Sequence, residues 1–145
     1  MKTEPPSSYQ VSVFETGQMN DIVQAWQSKS VQKILFVCTA NYQRSKTCED
    51  LFKAFTEVSV SSAGVSRKEC ARRGSTLCTE SMLEAADVIY IFEPLHAERI
   101  NSHTDYRYAG KLVSLDIPDQ YQYMSSDLVE LILSRLSRLL LSSSE

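Results

Sequence analysis

Cys38 and Arg44 are separated by five residues, and Ser45 follows the arginine directly. A thiol is a nucleophile, and a guanidinium is a rigid fork of donors for an oxyanion. The five intervening residues, Thr39, Ala40, Asn41, Tyr42 and Gln43, are enough to wrap a loop around one tetrahedral anion. If a helix begins near Ser45, its first N–H groups and those of the loop point inward as a nest that stabilises anions, a thiolate included. The chemistry that fits is displacement at a phosphate-sized group. Cys38 is its nucleophile and Arg44 its clamp, with the amides of residues 39–43 and Ser45 as the cradle. Simpler readings exist. Cysteine is often just a buried thiol, and Arg44 can be an exposed cation at a helix start. A cation there opposes the helix dipole unless an anion is bound.

The elements that must position these residues show in the hydrophobic pattern. The run Lys33–Cys38 is apolar and ends on the thiol. Val58–Ser61, Val88–Phe92 and Leu112–Leu115 are three further strand candidates. Helical patterns separate them: Ser45–Phe55, Thr79–Ala86, a helix opened by Pro94 and running to about Asn101, and a last one from near Asp127. Asp127 and Glu130 have capping-box spacing there. Strands alternating with helices predict an α/β fold, a parallel sheet with helices on both faces. In such sheets ligands bind beyond the carboxyl ends of the strands, where Cys38 falls. Before this α/β domain, residues 31–141, residues 1–30 form an extension. It reads as a tail over 1–8, a short strand over Val11–Phe14 and a helix over Gln18–Ser28.

A chain of 145 residues suits one core. A net charge of −3 and a pI near 5.4 argue against broad nucleic-acid binding. No apolar stretch approaches the ~20 residues of a membrane span. No secretory leader is visible, so a cytoplasmic location is expected. The cysteines Cys38, Cys48, Cys70 and Cys78 form no C-x-x-C pair. The only histidines are His96 and His103, so neither a metal nor a cofactor is expected. Cys48 reads as core, Cys70 and Cys78 as bystanders, both histidines as surface residues, and Arg72-Arg73 as a solvated turn.

Val37-Cys38 through Arg44-Ser45 resembles the phosphate loop, C-x5-R-[ST], of the low-molecular-weight protein tyrosine phosphatases. Ser62-Ala63-Gly64 resembles that family's Ser-Ala-Gly segment, and Ala86 to Ile91 its next strand. Ile117-Pro118-Asp119-Gln120-Tyr121 resembles the Asp-Pro-Tyr loop that carries its general acid. The resemblance runs in order from about Lys33 to Leu140. It implies a three-layer, flavodoxin-like fold with a four-stranded parallel sheet in the order 2-1-3-4. It also implies a phosphomonoester hydrolase, of protein tyrosine phosphatase type, working through a phosphocysteine on Cys38. Arg44 and the loop amides would hold the phosphoryl oxygens, and Ser45 would stabilise the thiolate. Asp119 would be acid and then base. Asn41 would bond Ser62, and Tyr121 and Tyr123 are candidate walls for an aromatic substrate. The partner would be a phosphorylated protein or a small phosphomonoester, with phosphate or sulfate able to occupy the loop.

The departures are specific. Ala40 stands where the family has Gly, Gln43 where many members have a second cysteine, Lys46 where Pro is usual, and Gln120 where Pro follows the acid. Asp116 therefore competes with Asp119, which the family's spacing favours. The stretch between Gly64 and Ala86 is short, so a pocket wall is expected to be missing. Two other readings stand beside the hydrolase. One is a non-catalytic phosphate- or phosphopeptide-binding module. The other is a thioredoxin-coupled arsenate reductase, disfavoured because Cys70 and Cys78 precede the third strand.

Overall fold

The structure, a computed structural model, describes residues 10–141. The expected tail over 1–8 and the final Ser142–Glu145 lie outside the described residues. Four strands, β1 (Lys33–Cys38), β2 (Ser59–Gly64), β3 (Val88–Ile91) and β4 (Leu112–Ser114), form one sheet in the order β2-β1-β3-β4. Every pairing is parallel. This is the expected three-layer, flavodoxin-like arrangement. The central strand β1 is buried from Ile34 onward on both faces, which explains its unbroken apolar run.

The helices are α1 (Val13–Ser28), α2 (Arg44–Phe52), α3 (Arg67–Arg73), α4 (Glu80–Ala85), α5 (Pro94–Thr104) and α6 (Ser126–Leu141). Side-chain alternation along β1 divides the core. Ile34 and Phe36 pack with residues of α1, α2 and α6, including Trp26, Phe52 and Leu128. Leu35 and Val37 pack with Leu83 of α4 and Ile100 of α5.

Two local expectations change. Val11–Phe14 is not a strand. Ser12 caps α1 through a capping box: its Oγ accepts from the Glu15 N–H, and Glu15 Oε1 accepts from the Ser12 N–H, each at 3.0 Å. Val13 and Phe14 therefore lie on the exposed first turn. The expected box of Asp127 with Glu130 is displaced by two residues: Asp127 lies inside the first turn of α6, and the Ser125 hydroxyl ahead of the helix accepts from the Leu128 N–H.

The N-terminal helix is part of the core. Trp26 is fully buried, edge-on to Phe52 at 5.1 Å between centroids, and its Nε1–H donates to the Tyr90 hydroxyl at 2.9 Å.

Candidate active site

Cys38 ends β1 and is buried. The chain then leaves the sheet but stays tied to the exit of β2. The Cys38 carbonyl accepts from the Val65 N–H at 2.9 Å, and the Thr39 carbonyl from the Ser66 N–H at 3.0 Å. Gly64 makes room for this. A Cβ there would lie 2.6 Å from Cys70 Sγ, 2.7 Å from the Thr39 carbonyl oxygen and 2.9 Å from the Ala40 carbonyl carbon.

Asn41 is the hinge of the loop. It takes the left-handed conformation, φ 52°, which asparagine tolerates better than most residues. Ala40 does not have positive φ, so the loss of glycine at that position creates no strain. The Asn41 amide donates to Ser45 Oγ at 2.8 Å and to Ser62 Oγ at 2.9 Å, while its carbonyl oxygen accepts from the Thr76 N–H at 3.2 Å. Ser45 Oγ thus accepts from Asn41, and its own proton has two acceptors in reach, Cys38 Sγ at 3.0 Å and the Ala63 carbonyl at 3.4 Å. The expected Asn41–Ser62 bond is present.

Arg44 is the first residue of α2 and is 2% exposed. Its Nη1 donates to Glu93 Oε2 at 2.6 Å and to the Ile117 carbonyl at 2.7 Å, and its Nε lies 3.8 Å from Asp119 Oδ1. The guanidinium is thus held on one side by protein oxygens. A cleft of about 360 Å³ gathers Cys38, Thr39, Ala40, Tyr42, Gln43, Arg44, Glu69, Arg73 and Asp119. Of the two competing acids, Asp119 lines this cleft. Asp116 does not, and its carboxylate accepts from the Ser114 hydroxyl at 2.7 Å.

His96 is fully buried, not a surface residue. Its Nδ1 accepts from the backbone N–H groups of Phe92 and Glu93, each at 3.2 Å, and its Nε2 lies 2.9 Å from Thr39 Oγ1. Burial, reinforced by the Arg44 charge, pushes its pKa down to about 4, so the ring is neutral at ordinary pH. Glu93 and His96 were not expected as site residues. The signal available was their placement directly after β3, at the carboxyl edge of the sheet.

Arg72-Arg73 is not a turn but the last turn of α3, and Arg73 stacks over the Tyr42 ring at 4.3 Å. The stretch expected to lack a wall therefore supplies one, from Glu69 and Arg73. Lys46 points along α2, pairing with Asp50 at 3.5 Å and Glu49 at 3.7 Å, away from Cys38. It lines a second cavity of about 860 Å³ that shares Tyr42, Gln43 and Arg73 with the first. Tyr121 lines neither cavity and packs against the core. Tyr123 lines the larger one and bonds Asp50. Cys70 lies against the outer face of the loop, 3.6 Å from the Ala40 carbonyl oxygen, and burial raises its pKa. Burial also pushes Cys78 up to about 11 and Cys48 well above the ordinary thiol range. Among the described residues no cluster of three or more metal-ligating side chains occurs, and no helix is long and apolar enough to cross a membrane.

Residues 33–86 match the family described as low molecular weight phosphotyrosine protein phosphatase. The chain is similar in structure to the tyrosine phosphatase Wzb from Escherichia coli in complex with phosphate. That match has 22% identity and a TM-score of 0.61, and covers 79% of this chain and 99% of that one. It is also similar to Vibrio vulnificus Wzb in complex with benzylphosphonate, at 23% identity and a TM-score of 0.60, over 75% of this chain and 97% of that one. A third likeness is to the YwlE arginine phosphatase of Bacillus subtilis with a phosphorylated active-site serine. It has 26% identity and a TM-score of 0.57, and covers 78% and 98% of the two chains. No curated protein matches by sequence.

Proposed function

We propose that this divergent relative of the low molecular weight phosphotyrosine protein phosphatases is a phosphomonoester hydrolase of protein tyrosine phosphatase type, working through a phosphocysteine on Cys38. The observation that carries the reading is one cleft holding Cys38, Arg44 and Asp119, with the Ser45 hydroxyl 3.0 Å from the sulfur.

The Cys38 thiolate attacks phosphorus as the bond to the leaving oxygen breaks, and Asp119 gives that oxygen a proton. Arg44 and the amides of residues 39–45 hold the phosphoryl oxygens, where charge redistributes in the transition state. In the second step a water attacks the phosphocysteine and yields its proton to Asp119. The S–P bond breaks, releasing inorganic phosphate and a thiolate that the Ser45 hydroxyl stabilises. Asp119 suits both roles because its side chain is 63% exposed, within reach of leaving group and water alike.

The test is hydrolysis of an aryl phosphate by the purified protein. Cys38→Ser and Arg44→Ala abolish turnover on this reading, and an active Cys38→Ser variant overturns it. Phosphate binding without turnover identifies a non-catalytic binding module instead. Thiol-dependent arsenate turnover that stops in Cys70→Ser identifies a reductase.

One observation favours a second substrate class. The Glu69 carboxylate in the cleft wall suits a guanidinium, as its pairing with Arg72 at 3.1 Å illustrates, and a structural neighbour is an arginine phosphatase. Parallel assays on phosphotyrosine and phosphoarginine peptides separate the two, and a Glu69→Gln loss confined to phosphoarginine supports the second.

A further inference from the structure

Hydrogen-bond direction around His96 assigns the proton of the Thr39 hydroxyl. His96 Nδ1 faces two backbone N–H groups, from Phe92 and Glu93. Both can only donate, so Nδ1 is the bare acceptor nitrogen. A neutral imidazole then carries its proton on Nε2. That N–H lies 2.9 Å from Thr39 Oγ1 and donates to it. The hydroxyl oxygen is thereby an acceptor toward His96, and its own proton must point elsewhere. Among the described residues no acceptor takes that proton, and Thr39 lines the cleft beside Cys38, Arg44 and Asp119.

We infer that the Thr39 side-chain hydroxyl is a donor to the bound phosphoryl group, and that His96 is the positioning residue that aims it. The inference rests on the phosphate-binding reading of the loop. It adds a side-chain donor at the end of the loop opposite Arg44. The chain of donors runs one way: backbone N–H to Nδ1, Nε2–H to Oγ1, and Oγ1–H into the cleft. Such a directed, half-buried donor is aligned before the substrate arrives, so it loses little orientation when the anion binds. The platform is the N-terminus of α5. Glu93 caps that helix and grips Arg44, and His96, three residues on, grips Thr39.

The experiment combines calorimetric binding of inorganic phosphate with steady-state hydrolysis of an aryl phosphate, on Thr39→Val, Thr39→Ser, His96→Asn and the Thr39→Val/His96→Asn pair. Thr39→Val is expected to weaken phosphate binding and lower kcat/KM, each roughly tenfold or more. Thr39→Ser keeps the hydroxyl and restores both. His96→Asn retains an acceptor for the Phe92 and Glu93 N–H groups but does not reach Thr39, and its loss is not added to that of Thr39→Val in the pair. Unchanged phosphate affinity in Thr39→Val overturns the inference, as does full additivity in the pair. Two-bond 1H–15N correlation spectra of the wild-type protein test it without any variant: a proton on Nε2 at neutral pH supports it, and a proton on Nδ1 overturns it. The outcomes separate from those of the hydrolase reading. Thr39-dependent phosphate binding without turnover sinks the hydrolase and keeps this inference. Turnover indifferent to Thr39→Val does the reverse.

Discussion

The Arg44 guanidinium meets the Glu93 carboxylate at 2.6 Å, with Arg44 2% exposed and the Glu93 side chain 34% exposed. A cation buried to this degree needs an anion or several acceptors around it. Here it has Glu93 and the Ile117 carbonyl on one side. Its other side lines the cleft that holds Cys38 and Asp119. Glu93→Gln keeps a neutral acceptor, whereas Glu93→Ala leaves the cation with the Ile117 carbonyl and the more distant, exposed Asp119 carboxylate at 3.8 Å. Because Glu93 is partly solvated, the expected loss for Glu93→Ala is about 1–3 kcal/mol, below that of a fully buried pair. Urea unfolding gives that number. The kcat/KM of Glu93→Ala is expected to fall further than that of Glu93→Gln, since Arg44 then loses its orientation.

Gly64→Ala tests how closely the loop sits on β2. The new methyl would meet two loop backbone atoms, the Thr39 oxygen and the Ala40 carbonyl carbon, and these cannot rotate away as a side chain can. Overpacking of this kind costs about 1–3 kcal/mol. The larger effect is expected on catalysis, where displacing a positioned group by ~1 Å costs on the order of a hundredfold. Adding Cys70→Ala removes only the sulfur contact and is not expected to restore kcat/KM.

Asn41→Ala removes three hydrogen bonds and places alanine at φ 52°. Asn41→Gly relieves the backbone but not the bonds. Both are expected to weaken phosphate binding, and the alanine variant is expected to be less stable than the glycine variant by about 1 kcal/mol. Calorimetric phosphate titration and urea melts of the pair separate the two contributions. Equal stability of the two variants would show that an alanine at φ 52° carries no backbone strain.

How much of this was legible depended on what each residue shows in one dimension. Lys33–Cys38 is buried on both faces, so its apolar run marks the strand directly. Cys38, Arg44 and Ser45 lie seven residues apart or fewer, so their loop is a local feature. Arg67–Arg73 was missed because only Cys70 of its seven residues is buried, leaving no periodicity. Its ends were nevertheless written in the chain: Ser66 caps the Glu69 N–H, and Gly74 takes φ 68° at the C-cap. Ser12-x-x-Glu15 carried the same kind of start signal for α1, outweighed there by the β-branched Val11 and Val13. His96 and Glu93 were invisible for another reason. Their partners, Thr39 and Arg44, are 57 and 49 residues away in sequence. Only the parallel pairing of β3 beside β1 brings them under the loop.

Trp26 links the N-terminal helix to the sheet. Trp26→Ala removes a fully buried indole packed on Phe52 and is expected to cost about 3–5 kcal/mol. Trp26→Phe keeps most of the packing but loses the donor to the Tyr90 hydroxyl, for roughly 1–2 kcal/mol. Urea melts followed by circular dichroism measure both. A loss below 1 kcal/mol in Trp26→Ala contradicts an integral role for α1.

Acid stability should carry the signature of His96. Its folded pKa of about 4 lies below the ordinary 6.5. Burial is the main cause. Arg44 and Arg99 also oppose protonation, while Glu93 and Asp119 oppose the shift. As pH falls from 6.5 to 4 the unfolded chain takes up a proton that the folded chain refuses, so stability declines across that window. Below about 4 the folded ring is protonated too, and this contribution stops growing. The full loss is about 3 kcal/mol. Asp87 acts in a lower window, because the N–H groups of Gln32 and Lys33 hold its pKa below 3.8. Urea midpoints measured from pH 7 to pH 4 are expected to fall steadily in the wild type and less steeply in His96→Asn. Parallel slopes in the two proteins would show that the ring does not titrate on unfolding in that window.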